Sequence, residues 1–234
     1  MFNESSQTPY DVRFTLFGIP VRIHPFFWLV SVFMGLNLGE SENGTQRILC
    51  WVVAVFIAIL VHELGHALII RYIFGASPWI ILYSFGGLAC HHPQYSRKRP
   101  GTWGQILISL GGPLAGFLLA GLCYFLLRYM IPGGDSNLYY LLEILYFICF
   151  IGFFWGFINL LPVYPLDGGQ ICRELCLWFS PWQGDIVALR ISFVAALGVV
   201  VLCLTRFQGN YYIAILFGIL AYENYQSMTR GSWR

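Results

Sequence analysis

Charged residues are scarce in this sequence of 234 residues, which has 13 Lys and Arg and 11 Asp and Glu, together only 10%. A typical soluble domain carries about 25% charged residues. Here 58% of the residues are apolar or aromatic, too many for a soluble fold to hide from water, and a disordered chain needs the opposite composition. The composition therefore predicts a protein whose main solvent is the lipid bilayer.

Several other features are also missing. The net charge of +2 is small and scattered, which argues against nucleic acid as a partner. The seven cysteines lie mostly in apolar runs without the spacing of a disulfide framework, so we expect them to pack as small apolar residues. Residues 1–24 lack the pattern of a cleavable signal peptide, and no internal repeat is evident.

What the sequence does contain is a series of apolar runs, several of them near the ~20 residues that cross a hydrocarbon core. The fourth run loses its helical pattern around residues 159–169 and resumes to residue 179, and the first and last runs are the shortest. We predict an all-α polytopic membrane protein with about six transmembrane helices, the fourth broken, in a single domain over residues 1–234. The runs cover residues 25–38, 48–74, 106–130, 138–179, 186–204 and 211–221.

The distribution of basic residues indicates an orientation, because Lys and Arg favour the cytoplasmic side. If both termini are cytoplasmic, eight of the 13 Lys and Arg residues lie on that side, and Arg47, Arg128 and Arg206 lie on the far side. Arg173 and Arg190 lie near the irregular region and are not assigned to either side. We therefore predict a multi-pass protein of the cell membrane with both termini in the cytoplasm.

Residues 79–90 interrupt the helical pattern. They are rich in β-branched and aromatic residues and are divided by Gly86-Gly87, which is typical of two short strands around a turn. Unpaired strand edges cannot face lipid, so this segment must pack on protein or line a wet cavity. It is predicted to be a short membrane-associated β-hairpin.

The second run contains His62-Glu63-Leu64-Gly65-His66, the HExxH pattern. On a helix, residues i and i+4 lie on the same face, so the two imidazoles can reach one zinc ion. Glu63 is offset by one residue and can act as a base toward a water at the metal. The alternative is a set of polar contacts between helices, but ionisable residues in a spanning helix are costly and normally mark a functional site.

A catalytic zinc site usually has three protein ligands, so a third ligand is needed from elsewhere. Glu143 lies near the outer end of the fourth run, whereas Asp167 lies between Pro165 and Gly168-Gly169, where the helix is broken. Broken backbone at membrane depth is tolerated where it lines a cavity, which favours Asp167. The alternative is that Asp167 only caps the helix that follows.

Taken together, HExxH and the later sequence Asn159-Leu-Leu-Pro-Val-Tyr-Pro-Leu-Asp167-Gly-Gly resemble the site-2 protease family of intramembrane zinc metalloproteases. Ser84-Phe85-Gly86-Gly87-Leu88-Ala89 and Gly112-Pro113 extend the resemblance. It implies a catalytic core of about residues 48–180 and one zinc ion per chain, bound by His62, His66 and Asp167. It further implies that Glu63 is the general base and that Asn159 positions the substrate or its oxyanion.

The resemblance implies hydrolysis of peptide bonds within or near transmembrane segments, as in regulated intramembrane proteolysis or removal of signal-peptide remnants. The partners would be a transmembrane protein substrate, the lipid bilayer and a regulatory membrane protein, with no nucleic acid. The site is expected nearer the cytoplasmic face, because the two histidines lie past the middle of a span that runs inward. Two alternatives are a non-hydrolytic zinc-binding transporter and an inactive protease-like scaffold.

The sequence departs from the family pattern in two respects and has two further features of interest. The family often has Asn where this sequence has Gly116, and this chain shows no PDZ or CBS domain, so regulation through such a domain is not expected. Gly112 and Gly116 form a small-residue face that predicts close helix packing. His91 and His92 are adjacent, point to opposite sides of an extended chain, and are therefore predicted not to share a metal ion.

Overall fold

The structure is a computed structural model that describes residues 7–40, 43–84, 86–90, 100–130, 138–206 and 211–230. Its contacts divide the chain into two compact units. The first unit comprises residues 1–99 and 111–156, and the second comprises residues 100–110 and 157–234.

Seven α-helices form within the described ranges, and the all-helical polytopic character predicted from composition is confirmed. The break in the fourth run is also confirmed, because one helix ends at Asn159 and the next begins at Asp167. The helices are α1 Pro25–Gly35, α2 Gly44–Tyr72, α3 Thr102–Met130, α4 Tyr139–Asn159, α5 Asp167–Phe179, α6 Gly184–Arg206 and α7 Tyr211–Arg230.

Four of these helices, α2, α3, α4 and α6, are long and apolar enough to cross a bilayer. The apolar helix that begins with α1 is shorter and ends as a 3₁₀ turn over Leu36–Glu40. Helix α7 has 20 residues but a more polar second half. A total of six spans therefore stays a prediction, with α1 and α7 as the two short members.

The first unit also contains a four-stranded sheet in the order β1-β2-β3-β4. The predicted hairpin is β3 (Trp79–Tyr83) and β4 (Gly86–Cys90), which pair antiparallel. Two further strands, β1 (Val12–Leu16) and β2 (Ile19–Ile23), form a second antiparallel pair, and β2 runs parallel to β3. The sheet is thus twice as wide as the sequence analysis predicted.

One face of this sheet is buried against α2, which brings the sheet beside the helix that carries HExxH. Alternation along β2 and β3 places every second side chain in that core, whereas Arg22 and Thr15 lie on the other face, as the register requires. The strand residues in the core are Ile19, Val21, Ile23, Ile80 and Leu82, and they share it with Ala54, Val55, Ala58 and Ile59 of α2.

The second unit is built on the pairing of α6 with α7. Residues 160–166 join α4 to α5, and we call them the connecting segment. The buried core of the second unit consists of apolar residues from α6 and α7 together with Val163 from the connecting segment. Val163 is completely buried. The helix break is therefore anchored by an apolar side chain and is not a loose loop.

Candidate metal centre

The HExxH residues lie inside the unbroken helix α2, and all three side chains are buried, with at most 7% of their surface exposed. The Nε2 atoms of His62 and His66 are 3.3 Å apart. Two nitrogen ligands of a tetrahedral zinc ion, each at 2.0–2.1 Å, are separated by about 3.3 Å. The helical spacing thus produces a pair of donors with the separation that one zinc ion requires.

Helix α3 leaves room for these donors because it presents glycine to them. A Cβ atom at Gly112 would collide with the Nε2 atoms of both His62 and His66. Beside this position, the backbone of Gly65 in α2 lies directly against the backbone of Gly111 in α3. The close packing of α3, predicted from its small-residue face, is confirmed against α2. Gly112 also lies against both histidines, a feature that the sequence analysis missed.

Gly116 contributes to the same packing in a different way. A Cβ atom added at Gly116 would lie 3.7 Å from the carbonyl oxygen of Gly152 in α4, which is an ordinary contact distance. The small residues of α3 therefore contact two helices, α2 at Gly111 and Gly112 and α4 at Gly116.

Glu63, the predicted general base, lies against the sheet. A Cβ atom at Gly87, the second residue of β4, would overlap the Glu63 side chain at Cγ, Cδ and Oε1. The missing side chain at Gly87 therefore allows the carboxyl group to be held beside the strand. The sequence signal was the Gly86-Gly87 pair, which the sequence analysis had assigned only to a turn.

Asp167 lies in the second unit as the first residue of α5, and it is buried. The N-cap position is occupied by Leu166, with no side-chain hydrogen bond at the cap. Asp167 is therefore the first residue inside α5 and not its N-cap residue. A carboxylate in the first turn of a helix interacts favourably with the helix dipole.

The glycines after Asp167 allow the chain to fold back on itself. A Cβ atom at Gly168 would collide with the carbonyl group of Leu160, and one at Gly169 would collide with the backbone of Val163 and Tyr164. The first turn of α5 is thus in backbone contact with the connecting segment. Asn159, the last residue of α4, is buried in the same unit.

Glu143, the other carboxylate that was considered as a ligand, forms an ion pair with Arg47. This pair joins α4 to the first turn of α2 within the first unit. Glu143 therefore has a charged partner of its own. His91 and His92 lie outside the described residues, and their prediction stays untested.

Comparison with known proteins now adds to this geometry. The sequence profile of Peptidase family M50 matches residues 130–205, a range that includes Asn159 and Asp167. HExxH lies outside that range, so this match and the HExxH motif are independent observations that point to the same family. Over residues 130–205 the chain is similar to Peptidase family M50.

This chain is similar to two curated proteins over most of its length. It is 27% identical over 171 residues to zinc metalloprotease MJ0392 of Methanocaldococcus jannaschii, over 71% of this chain and 45% of the relative. It is 27% identical over 215 residues to stage IV sporulation protein FB of Bacillus subtilis, over 89% of this chain and 67% of the relative. The chain spans about half the length of the first of these relatives.

The fold of this chain is similar to that of a solved structure, the site-2 protease from Methanocaldococcus jannaschii. The TM-score is 0.61 at 23% sequence identity, with 94% of this chain and 95% of the other chain covered. At that identity the likeness establishes the fold alone.

The resemblance to site-2 proteases implies zinc, and the residues of the first unit fit it. Two buried imidazoles present Nε2 atoms at the separation of two zinc ligands. The space in front of both atoms exists only because residue 112 has no Cβ atom.

Proposed function

We propose that this chain is an intramembrane zinc metalloprotease that hydrolyses peptide bonds within or near transmembrane segments. One zinc ion would be held by His62, His66 and Asp167, in a single domain over residues 1–234 with its core at about 48–180. The observation that carries the proposal is the pair of Nε2 atoms 3.3 Å apart, buried beside Glu63 and facing the bare backbone of Gly112.

Zinc, when bound, supplies a Lewis acid that polarises a carbonyl group and makes water more acidic. Glu63 accepts a proton from the attacking water on its carboxylate and delivers it to the nitrogen of the leaving amine. The Gly87 backbone supports this function because it lies against the Glu63 side chain, and an oriented base loses less entropy when it reacts.

Two residues of the second unit complete the proposed machinery. Asp167 is the third ligand, supported by its burial and by its place at the start of a helix after a break. Asn159 donates a hydrogen bond to the substrate carbonyl or its oxyanion, as the family resemblance implies; a fixed donor of this kind stabilises charge that develops during the reaction.

We further propose a location in the cell membrane with both termini in the cytoplasm and the site nearer the cytoplasmic face. The distribution of Lys and Arg along the sequence supports this orientation. Substrates would be transmembrane proteins or signal-peptide remnants, and a regulatory membrane protein is the further partner that the family implies.

The substitution Glu63→Gln tests this function. It keeps the size and burial of the side chain but removes the base, so cleavage should fall by about 10²–10⁴-fold. The zinc content of the purified protein should stay that of the wild type, because Glu63 is not a ligand. Membrane proteomes of cells with wild type or Glu63→Gln would identify a spanning segment that accumulates uncut.

A matched variant separates metal binding from base catalysis. Asp167→Asn should lower zinc content and cleavage together, since it removes the charge of a ligand. Undiminished cleavage by Glu63→Gln would contradict the protease assignment, and so would zinc transport by the wild type with no cleavage of any membrane protein.

A further inference from the structure

Helices α6 and α7 each carry a buried polar residue that the proposed chemistry does not use. Ser192 of α6 is 1% exposed and Asn224 of α7 is 2% exposed. Buried polar side chains are costly unless they are hydrogen-bonded. Their partners therefore indicate what these two residues do.

Both residues bind the backbone of the same residue, Tyr164 of the connecting segment. The Tyr164 N–H donates to Oγ of Ser192 at 3.1 Å, and Nδ2 of Asn224 donates to the Tyr164 carbonyl at 2.8 Å. Tyr164 lies where the chain has no helical ladder to satisfy these groups. Two side chains from two other helices thus replace the hydrogen bonds that the helix break removes.

The orientation of the Asn224 amide is determined by its surroundings. Its Nδ2 also donates to the Leu220 carbonyl at 2.7 Å, so two carbonyl oxygens face the same nitrogen. The reversed amide would place oxygen against both carbonyls, and no hydrogen bond could form. Asn224 is therefore a specific donor to the connecting segment.

Tyr164, which these hydrogen bonds hold, is in contact with the first turn of α5, which carries Asp167. Gly169 lies so close to the Tyr164 backbone that an added Cβ atom would overlap its nitrogen. The Leu166 N–H donates to the carbonyl of Val163 at 2.8 Å, and Leu166 directly precedes Asp167. A shift of Tyr164 would therefore move the first turn of α5.

We propose that Ser192 and Asn224 are positioning residues that hold the Asp167 carboxylate in place for metal binding. This inference rests on the proposed function, in which Asp167 is a zinc ligand. It assigns a role to α6 and α7 beyond their apolar packing. Removal of groups that contact a metal ligand and fix its orientation commonly lowers metal affinity by about 10- to 100-fold.

The test uses two pairs of variants in the purified full chain. Thr and Val have nearly the same shape and differ in the hydroxyl group, so Ser192→Thr and Ser192→Val isolate the hydrogen bond to Tyr164. Asn224→Leu keeps the volume and removes the amide. Its control on the same helix is Ser227→Ala, which removes a hydroxyl that donates within α7, to the Glu223 carbonyl.

Three measurements are made on each variant: zinc affinity by competition with a chelator, the visible spectrum with Co²⁺ in place of zinc, and thermal unfolding of the metal-free protein. Ser192→Val and Asn224→Leu should weaken zinc binding by about tenfold or more and alter the Co²⁺ spectrum. Ser192→Thr and Ser227→Ala should stay within about twofold of wild type in zinc affinity.

Two results would overturn the inference. The first leaves the proposed function intact, whereas the second also contradicts the assignment of Asp167 as a zinc ligand. If Ser192→Val and Asn224→Leu lower only the unfolding temperature and leave zinc affinity and the Co²⁺ spectrum unchanged, the two residues are structural and the proposed function stands. If Asp167→Asn itself retains wild-type zinc affinity, Asp167 is not a ligand, and the ligand assignment fails together with this inference.

Discussion

The two stretches that carry the candidate site residues hold their side chains in opposite ways. His62, Glu63 and His66 lie within the continuous helix α2, where the helical repeat alone places both imidazoles on one face. Asp167 follows a broken backbone, and the segment before it is held by hydrogen bonds from α6 and α7. One stretch is ordered by local geometry and the other by residues distant in sequence.

The two stretches therefore require different things of the residues that contact them. Helix α2 requires empty space, which Gly112 and Gly87 supply by having no side chain. The connecting segment requires partners, which Ser192 and Asn224 supply. The first stretch should therefore be sensitive to added atoms next to it, and the second to lost donors and acceptors.

The largest effect is expected at Gly112. In Gly112→Ala the added Cβ atom would overlap Nε2 of both histidines, so one ring must move away. We expect zinc affinity to fall by about 100-fold or more, since overpacking costs about 1–3 kcal/mol and a displaced ligand adds to it. Chelator competition on the purified protein measures this change.

Gly121→Ala in the same helix is the matched control, because nothing lies within 4 Å of the position that its Cβ atom would take. Ala is favoured over Gly in a helix by about 1 kcal/mol, so this variant should be as stable as wild type or more so. Equal zinc affinity in the two variants would show that Gly112 does not make room for the metal ligands.

A smaller effect is expected at Gly169 in the second stretch. In Gly169→Ala the Cβ atom would meet the backbone of Val163 and Tyr164, which cannot rotate away as a side chain can. The metal-free protein should lose about 1–3 kcal/mol of stability, measured by thermal unfolding. Gly198→Ala in α6 has open space and should show no loss; a similar loss in both would mean that the close approach at Gly169 carries no stability.

The smallest effect is expected at Gly87, which lies against the side chain of Glu63, the proposed base. Gly87→Ala should displace the Glu63 carboxyl group, lower kcat by about tenfold and leave zinc content unchanged. Gly86→Ala is the control, because its Cβ atom would make ordinary contact with Trp155, at 3.5 Å. If Gly87→Ala also removed zinc, the strand would support the metal ligands as well as the base.

The sequence was sufficient for the helical part of the fold and for the three residues on α2. Apolar runs and the HExxH spacing both depend on the helical repeat, which is local and can be read directly from the chain. The predicted helix break before Asp167 was also correct. The prolines and glycines around Asp167 indicated this break without any tertiary information.

The remaining features could not be predicted because they depend on contacts between distant residues. Nothing local distinguishes Ser192 or Asn224 from any polar residue in an apolar helix until Tyr164 lies beside them. The spaces at Gly112 and Gly87 likewise become evident only when the neighbouring side chains are placed.

Strands β1 and β2 are a different case, because their signal was present and was not used. Arg13, Thr15 and Arg22 alternate with apolar residues around Phe17-Gly18, a pattern typical of a hairpin. Residues 1–24 were considered only as a signal peptide, and the alternation was missed.

The parallel pairing of β2 with β3 has a consequence for the order in which the protein is made. Val21 pairs with Ile80, so the amino-terminal hairpin has no neighbouring strand until about 60 more residues have been synthesised and α1 and α2 lie between. During that interval β2 has an exposed edge, and an exposed strand edge can pair with other chains. The first two helices must therefore be synthesised before the sheet that supports Glu63 can close.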